Sequence, residues 1–135
     1  GDRTILDVVP EVDDVLARCR DSLRLHQSEC GIGAVTYHDF ETGSANVSLH
    51  RAERILTAFE RRRERADEDR GALDATPTWE TLSELRSRYH VSQSELAEGT
   101  TLSQQQVSRE WGESDEVRRT VAARLREVLT DVAET

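Results

Sequence analysis

Two helix starts stand eleven residues apart in the stretch Val91–Trp111, which reads VSQSELAEGTTLSQQQVSREW. Ser92 is followed three residues later by Glu95, and Ser103 three residues later by Gln106. Each pair reads as a capping box, in which the Ser oxygen accepts the N3 amide and the Glu or Gln side chain reaches back to the cap's own amide. Starts so close together leave room for two short helices and a tight turn. Leu96 and Ala97 fall on the inner face of the first helix, Val107 and Trp111 on that of the second. The rest of the chain has to be built around this pair.

With 135 residues, the chain is expected to form one domain, or one domain with an appended module. Aromatic residues are few and Met is absent, so the core must come from Leu, Val, Ile and Ala. The net charge is −9, and all 18 basic residues are Arg. High-GC coding alone replaces Lys by Arg; together with excess Asp and Glu it suggests a halophilic, haloarchaeon-like source. An ordinary high-GC bacterium is the alternative. Cys19 and Cys30 occur with no signal-peptide pattern and no long apolar run, so a cytoplasmic protein with free thiols is expected. Gly1 in place of an initiating Met suggests that the natural chain extends further toward the N-terminus.

A first helix is predicted from about Glu11 to His26. Pro10 sits at or before its first turn, Asp13 and Asp14 lie near its positive end, and Val12, Leu16, Cys19 and Leu23 form one stripe. Cys19 is then a small core residue. Between Gln27 and His50 the pattern changes: Gly31 and Gly33 break the helix, and Val35-Thr36-Tyr37-His38 with Phe40 favours strand. Glu41-Thr42-Gly43-Ser44 resembles a turn, so a return strand over Ala45–Leu49 would complete a small β-hairpin. A loop leading to a helix capped at Ser48 fits the same residues.

A second long helix is predicted over about Leu49–Ala66, with Leu49, Ala52, Ile55, Leu56 and Phe59 on its apolar face. Beyond Phe59 the text ERRRERADEDRG mixes Arg61, Arg62, Arg63 and Arg65 with Glu60, Glu64, Asp67, Glu68 and Asp69. A solvated helix end with i, i+4 charge pairs is the reading preferred over a phosphate-binding patch. Residues 1–70 thus form an N-terminal module and Gly71–Pro77 a linker, leaving 78–135 as the domain that holds the two short helices. Trp79, Leu82, Leu85 and Tyr89 mark a scaffold helix before them. After Gly112 a last helix is capped at Ser114, with Asp115 and Glu116 in its first turn. Its Val117, Val121, Leu125, Val128, Leu129 and Val132 suit packing inside the chain; the 4-3-4 rhythm of Val121, Leu125, Val128 and Val132 equally suits a dimer seam.

With its flanking helices, about residues 79–129, this region resembles the Cro/repressor-type (xenobiotic-response-element) helix-turn-helix family. The LSQQQVSR portion is also similar to the recognition helix of MarR-like and other winged regulators. The resemblance implies that Gln93 opens the first helix, that Leu96 and Ala97 face its partner, that Leu102 is buried after the turn and that Val107 is the buried centre of the recognition helix. Thr101 stands where the family usually has its turn glycine. The implied function is sequence-specific binding of double-stranded DNA by a transcription regulator, with the helix from about Gln104 to Trp111 in the major groove. Gln pairs with adenine and Arg with guanine, and helix N-terminal amides suit phosphate. The expected DNA contacts are Ser92, Gln93, Ser103, Gln104, Gln105, Ser108 and Arg109.

Charge opposes this reading, because DNA binders usually present a basic face. Residues 1–70 carry 11 Arg against 15 acids, and residues 71–135 carry 7 against 12. In a saline cytoplasm the opposition weakens, since at ~1 M salt the Debye length is ~3 Å. The other function considered is a protein-interaction adaptor that uses the same helices only as packing. Cys19, His26, Cys30 and His38 have spacings that match no common closed zinc site, and no nucleophile elbow, phosphate loop or HExxH occurs. No enzyme activity, metal or cofactor is expected. The fold expected is mostly α, a helix-turn-helix bundle with an N-terminal helical module that includes a hairpin or a capped loop. That module and the last helix would provide homodimerisation or hold a protein partner, away from any membrane.

Overall fold

Helical periodicity governs almost the whole chain. A computed structural model describes residues 11–135 and contains, among them, seven α-helices, one 3-10 turn at Gln27–Glu29 and no β-strand. The helices are α1 (Val12–Ser22), α2 (Ala34–Glu41), α3 (Leu49–Ala72), α4 (Trp79–Arg88), α5 (Gln93–Ala97), α6 (Gln104–Arg109) and α7 (Asp115–Ala133). The expectation of a mostly α protein holds. The described residues fall into two compact units, one running to Glu64 and including Val132–Thr135, the other Arg65–Asp131. The division lies inside α3, ahead of the expected linker, and α3 itself continues through Gly71 to Ala72. The proposed position of Pro10 ahead of α1 lies outside the described residues.

In the first unit α1 stops at Ser22, short of the expected His26, because the chain turns into a left-handed cap. Arg24 takes φ 56°, its amide returns to the Asp21 carbonyl at 3.0 Å, and the Leu25 amide returns to Arg20 at 3.2 Å. This Schellman arrangement satisfies carbonyls that a helix end leaves open. Leu23 and Leu25 on either side are buried and anchor it. Val12 and Leu16 are buried as expected, whereas Cys19 is only half-buried.

The expected hairpin is absent: Ala34–Glu41 is helix α2. Strand alternation would place Val35 and Tyr37 on one face, but Val35 is 78% exposed while Tyr37 and Phe40, three apart, are buried. Tertiary packing overrides the β-favouring composition, and Tyr37 Oη donates to the Leu16 carbonyl at 3.1 Å. The residues read as a hairpin turn instead end the helix: Gly43 takes φ 75° and the Ser44 amide returns to Asp39 at 2.9 Å. The alternative for the following segment fits, since Ser48 Oγ accepts the Arg51 amide at 3.2 Å and α3 starts at Leu49. Across α1 and α2, Arg20 Nε meets Glu41 Oε1 at 2.5 Å and Arg20 Nη2 meets Oε2 at 3.2 Å.

Residues 60–73 bear out the solvated-end reading on one face only, where Glu60, Arg61, Glu64, Asp67 and Glu68 are exposed and Arg65 and Asp69 form an i, i+4 pair; the other face is buried. Beyond Phe59 the buried stripe of α3 and the residue just after it continues as Arg62, Ala66, Asp69 and Leu73, at steps of three and four. Arg62 reaches the backbone with Nε to the Leu23 carbonyl at 3.0 Å and Nη2 to the Arg24 carbonyl at 2.7 Å. Its charge is thus spent on acceptors left open at the end of α1, which is what allows a guanidinium to be buried. Leu56, assigned to the apolar face, is 57% exposed.

In the second unit Thr78 caps α4 by accepting the Thr81 amide at 3.2 Å, and Leu82, Leu85 and Tyr89 are buried as expected. Ser114 Oγ accepts the Val117 amide at 3.3 Å at the start of α7. Val117, Val121, Leu125, Val128 and Leu129 are all buried within the chain itself, as is Val132 of the first unit. The 4-3-4 row is therefore intramolecular packing and offers no free seam to a second copy. Arg118 Nη1 donates to the Pro77 carbonyl at 3.0 Å and Arg126 pairs with Asp74, fixing α7 to the segment before α4.

Candidate nucleic-acid interface

The two local caps position the pair α5–α6. Ser92 Oγ accepts the Glu95 amide at 3.1 Å and the Glu95 carboxylate accepts the Ser92 amide at 3.3 Å, a complete capping box. At α6 the box is half-formed: Ser103 Oγ accepts the Gln106 amide at 3.1 Å, with no return bond from the Gln106 side chain. Leu96, Ala97, Leu102 and Val107 are buried.

Between the helices Glu98 sits at φ −60°, ψ 130° and Gly99 at φ 74°, and the Thr100 amide returns to the Ala97 carbonyl at 3.1 Å. Those angles make a type II turn, which needs a residue tolerant of positive φ at its third position. The turn glycine is thus Gly99, two residues before the position occupied by Thr101. Thr100 locks the turn from the other side, donating Oγ1 to the Ala97 carbonyl at 2.6 Å and accepting the Leu102 amide at 3.1 Å. Sequence reading did not assign the Thr100 hydroxyl this role, although Thr hydroxyls bridge to backbone two residues on in a recognised turn motif. Arg124 Nε donates to the Glu95 carbonyl at 3.2 Å, tying α7 to the end of α5.

Helix α6 ends at Arg109, not Trp111. Trp111 lies beyond it, half-buried, with its indole nitrogen donating to Ser83 Oγ at 3.2 Å. Its ring centroid is 4.9 Å from that of Trp79, and the Arg86 guanidinium lies over it at 5.7 Å. Trp111 therefore joins the region after α6 to α4, while Val107 alone is the buried centre of α6.

Ser103, Gln104, Gln105, Ser108 and Arg109 are all exposed. Gln104 and Ser108 are four apart, as are Gln105 and Arg109, so each pair neighbours on the helix surface. The Gln104, Gln105, Ser108 and Arg109 side chains make no hydrogen bond or ion pair with any described residue. Ser92 is exposed and Gln93 half-buried at the start of α5. The Ser92 and Ser103 oxygens are committed to their caps, yet each hydroxyl keeps its proton for an outside acceptor. An α-helix with its side chains is about 10–12 Å across, which matches a major groove about 12 Å wide.

The thiols do not add a chemical site. Both cysteines are free, and Cys30 is fully buried with Sγ donating to the His26 carbonyl at 3.5 Å. Burial pushes the Cys30 thiol up to about 11. Cys19, His26, Cys30 and His38 do not bring three ligand atoms together. No helix among the described residues is long and apolar enough to cross a membrane. Compared with protein-family models, curated proteins and solved structures, the chain matches none of them.

Proposed function

We propose that the chain is a sequence-specific DNA-binding transcription regulator that reads the major groove with α6. The observation that carries this reading is the set of Gln104, Gln105, Ser108 and Arg109, exposed and unengaged on a short helix that two caps and a type II turn hold in place. Gln offers a donor and an acceptor to adenine, and Arg two donors to guanine, each pair worth ~1–3 kcal/mol of discrimination. Ser92 and Ser103, with Gln93, are suited to position the phosphate backbone. A homodimer would read two half-sites about 34–36 Å apart. With the α7 row consumed internally, the pairing surface belongs to the first unit, which alternatively holds a protein partner. A cytoplasmic setting of high salt completes the proposal.

The test is selection from a random duplex library at about 0.15 M and about 2 M KCl, the low and strongly screened limits. Wild type is compared with a Gln104→Ala/Gln105→Ala/Arg109→Ala variant. An enriched motif that the triple change abolishes, with helicity by circular dichroism unchanged, supports base readout by α6. No enrichment at either salt from a folded protein rejects DNA binding.

The second reading is a protein-interaction adaptor. The acidic balance of Arg65–Asp131, nine arginines against fourteen carboxylates, favours it. It predicts a stoichiometric co-purifying protein with no DNA enrichment.

A further inference from the structure

Arginine pairing within the second unit bears on how that unit would hold DNA. Of the arginines between Arg65 and Asp131, seven are already neutralised by a carboxylate. Arg65 and Arg88 share Asp69, Arg70 takes Asp67, Arg118 and Arg119 share Asp115, Arg124 takes Glu127 and Arg126 takes Asp74. Arg86 lies on the Trp111 ring, with its Nε buried. Within the unit this leaves Arg109, exposed on α6 and without a partner among the described residues. Around α6 stand Glu98 in the turn, Glu110 at its C-terminal cap and Glu113 just beyond.

We propose, resting on the DNA-binding reading above, that this unit grips duplex DNA through base edges with Arg109 as its one net cationic contact, so that its affinity is nearly independent of salt. Ordinary DNA binders release about one counterion per phosphate neutralised, and log K falls with log salt at a slope of about −0.9 per contact. With the second unit as the part that contacts DNA, its single free arginine sets the slope at about −1. Repulsion between DNA phosphates and Glu98, Glu110 and Glu113 acts in the opposite sense, because added salt screens it. The observed slope is expected at −1 or shallower, against the steep fall of a protein that contacts phosphates with many arginines.

The experiment uses the full chain and a duplex carrying the motif enriched from the random library, titrated from about 0.1 M to about 2 M KCl. The expected result is a slope per protomer between about −1 and zero for wild type. Arg109→Gln weakens binding about tenfold or more at every salt and moves the slope toward zero or above. Glu98→Gln/Glu113→Gln raises affinity several-fold at low salt, and the gain vanishes at high salt. A wild-type slope of about −3 or steeper overturns the proposal while leaving DNA binding intact, since it means the paired arginines exchange their carboxylates for phosphates. Equal salt dependence in wild type and Arg109→Gln also overturns it. No binding at any salt defeats the DNA reading itself. All three substitutions lie on exposed side chains, and circular dichroism at each salt confirms that the variants are folded.

Discussion

The Tyr89 hydroxyl donates to Asp69 Oδ2 at 2.7 Å, joining the end of α4 to the last turns of α3. Arg88 Nη1 reaches the same oxygen at 2.9 Å, and Arg65 Nε reaches Oδ1 at 3.3 Å. A carboxylate with both oxygens occupied is tolerated at 8% exposure; one stripped of donors is not. Asp69→Ala removes the buried acceptor that Arg65, Arg88 and Tyr89 share and is expected to cost ~3 kcal/mol, the low end for a broken buried pair because both guanidiniums are partly exposed. Tyr89→Phe leaves the arginines in place and is expected to cost ~1–2 kcal/mol. Urea unfolding gives both values, and equal losses would contradict the ranking.

Gly31 and Gly99 both have positive φ, but for different reasons, and alanine separates them. A Cβ on Gly31 would lie 2.6 Å from the Arg54 carbonyl oxygen, so the 30–33 loop could not approach α3. A Cβ on Gly99 meets nothing within 4 Å. Gly99→Ala should therefore cost only the left-handed penalty of ~1–2 kcal/mol, and Gly31→Ala should cost more because backbone must move as well. Thermal or urea melts of the two variants decide it; the order reversed would be inconsistent with the close approach at Gly31.

Cys30 is expected to be chemically silent in the folded protein. Its thiol, raised to about 11 by burial, carries almost no thiolate at neutral pH. Alkylation near pH ~8 should label Cys19 first and Cys30 only after denaturant is added. Peptide mapping of the adducts reads this directly, and comparable labelling of both in the native state would speak against the packing around Cys30.

Glu41 gives an acid dependence. Burial alone would raise its carboxyl, but hydrogen bonds from Arg20 and Gln27 outweigh that and hold it below the usual range. A depressed folded-state value means that the stabilisation is complete above the unfolded carboxyl value of ~4.3 and lost as pH falls through the folded one. Glu41→Gln should therefore be less stable than wild type at neutral pH, and the gap should close below pH ~4. Urea midpoints at several pH values test this; a gap constant with pH would exclude the linkage.

Local signals were legible in the sequence and non-local ones were not. The oxygens of Ser92, Ser103 and Ser114 all cap where the spacing placed them, because a cap involves only the next turn. That is why the exposed side chains of α6 could be named in advance. Tyr37 and Phe40 misled because their β preference yields to burial three residues apart, a choice made by packing partners distant in sequence. Arg62 and Asp69 misled for a related reason. A charged residue reads as solvated until its acceptors are known, and those of Arg62 are carbonyls nearly forty residues earlier. The α7 row looked equally suited to either use, and only burial of Val121, Leu125, Val128 and Val132 distinguishes them.

The first unit includes Val132–Thr135, and Val132 is buried. Its residues are thus discontinuous along the chain, with the whole second unit inserted between Glu64 and Val132. On the ribosome the early helices emerge long before the residues that complete their unit. The second unit is contiguous, running from Arg65 to Asp131. A truncation before Val132 would therefore take residues from the unit that begins the described chain, not from the one it adjoins in sequence.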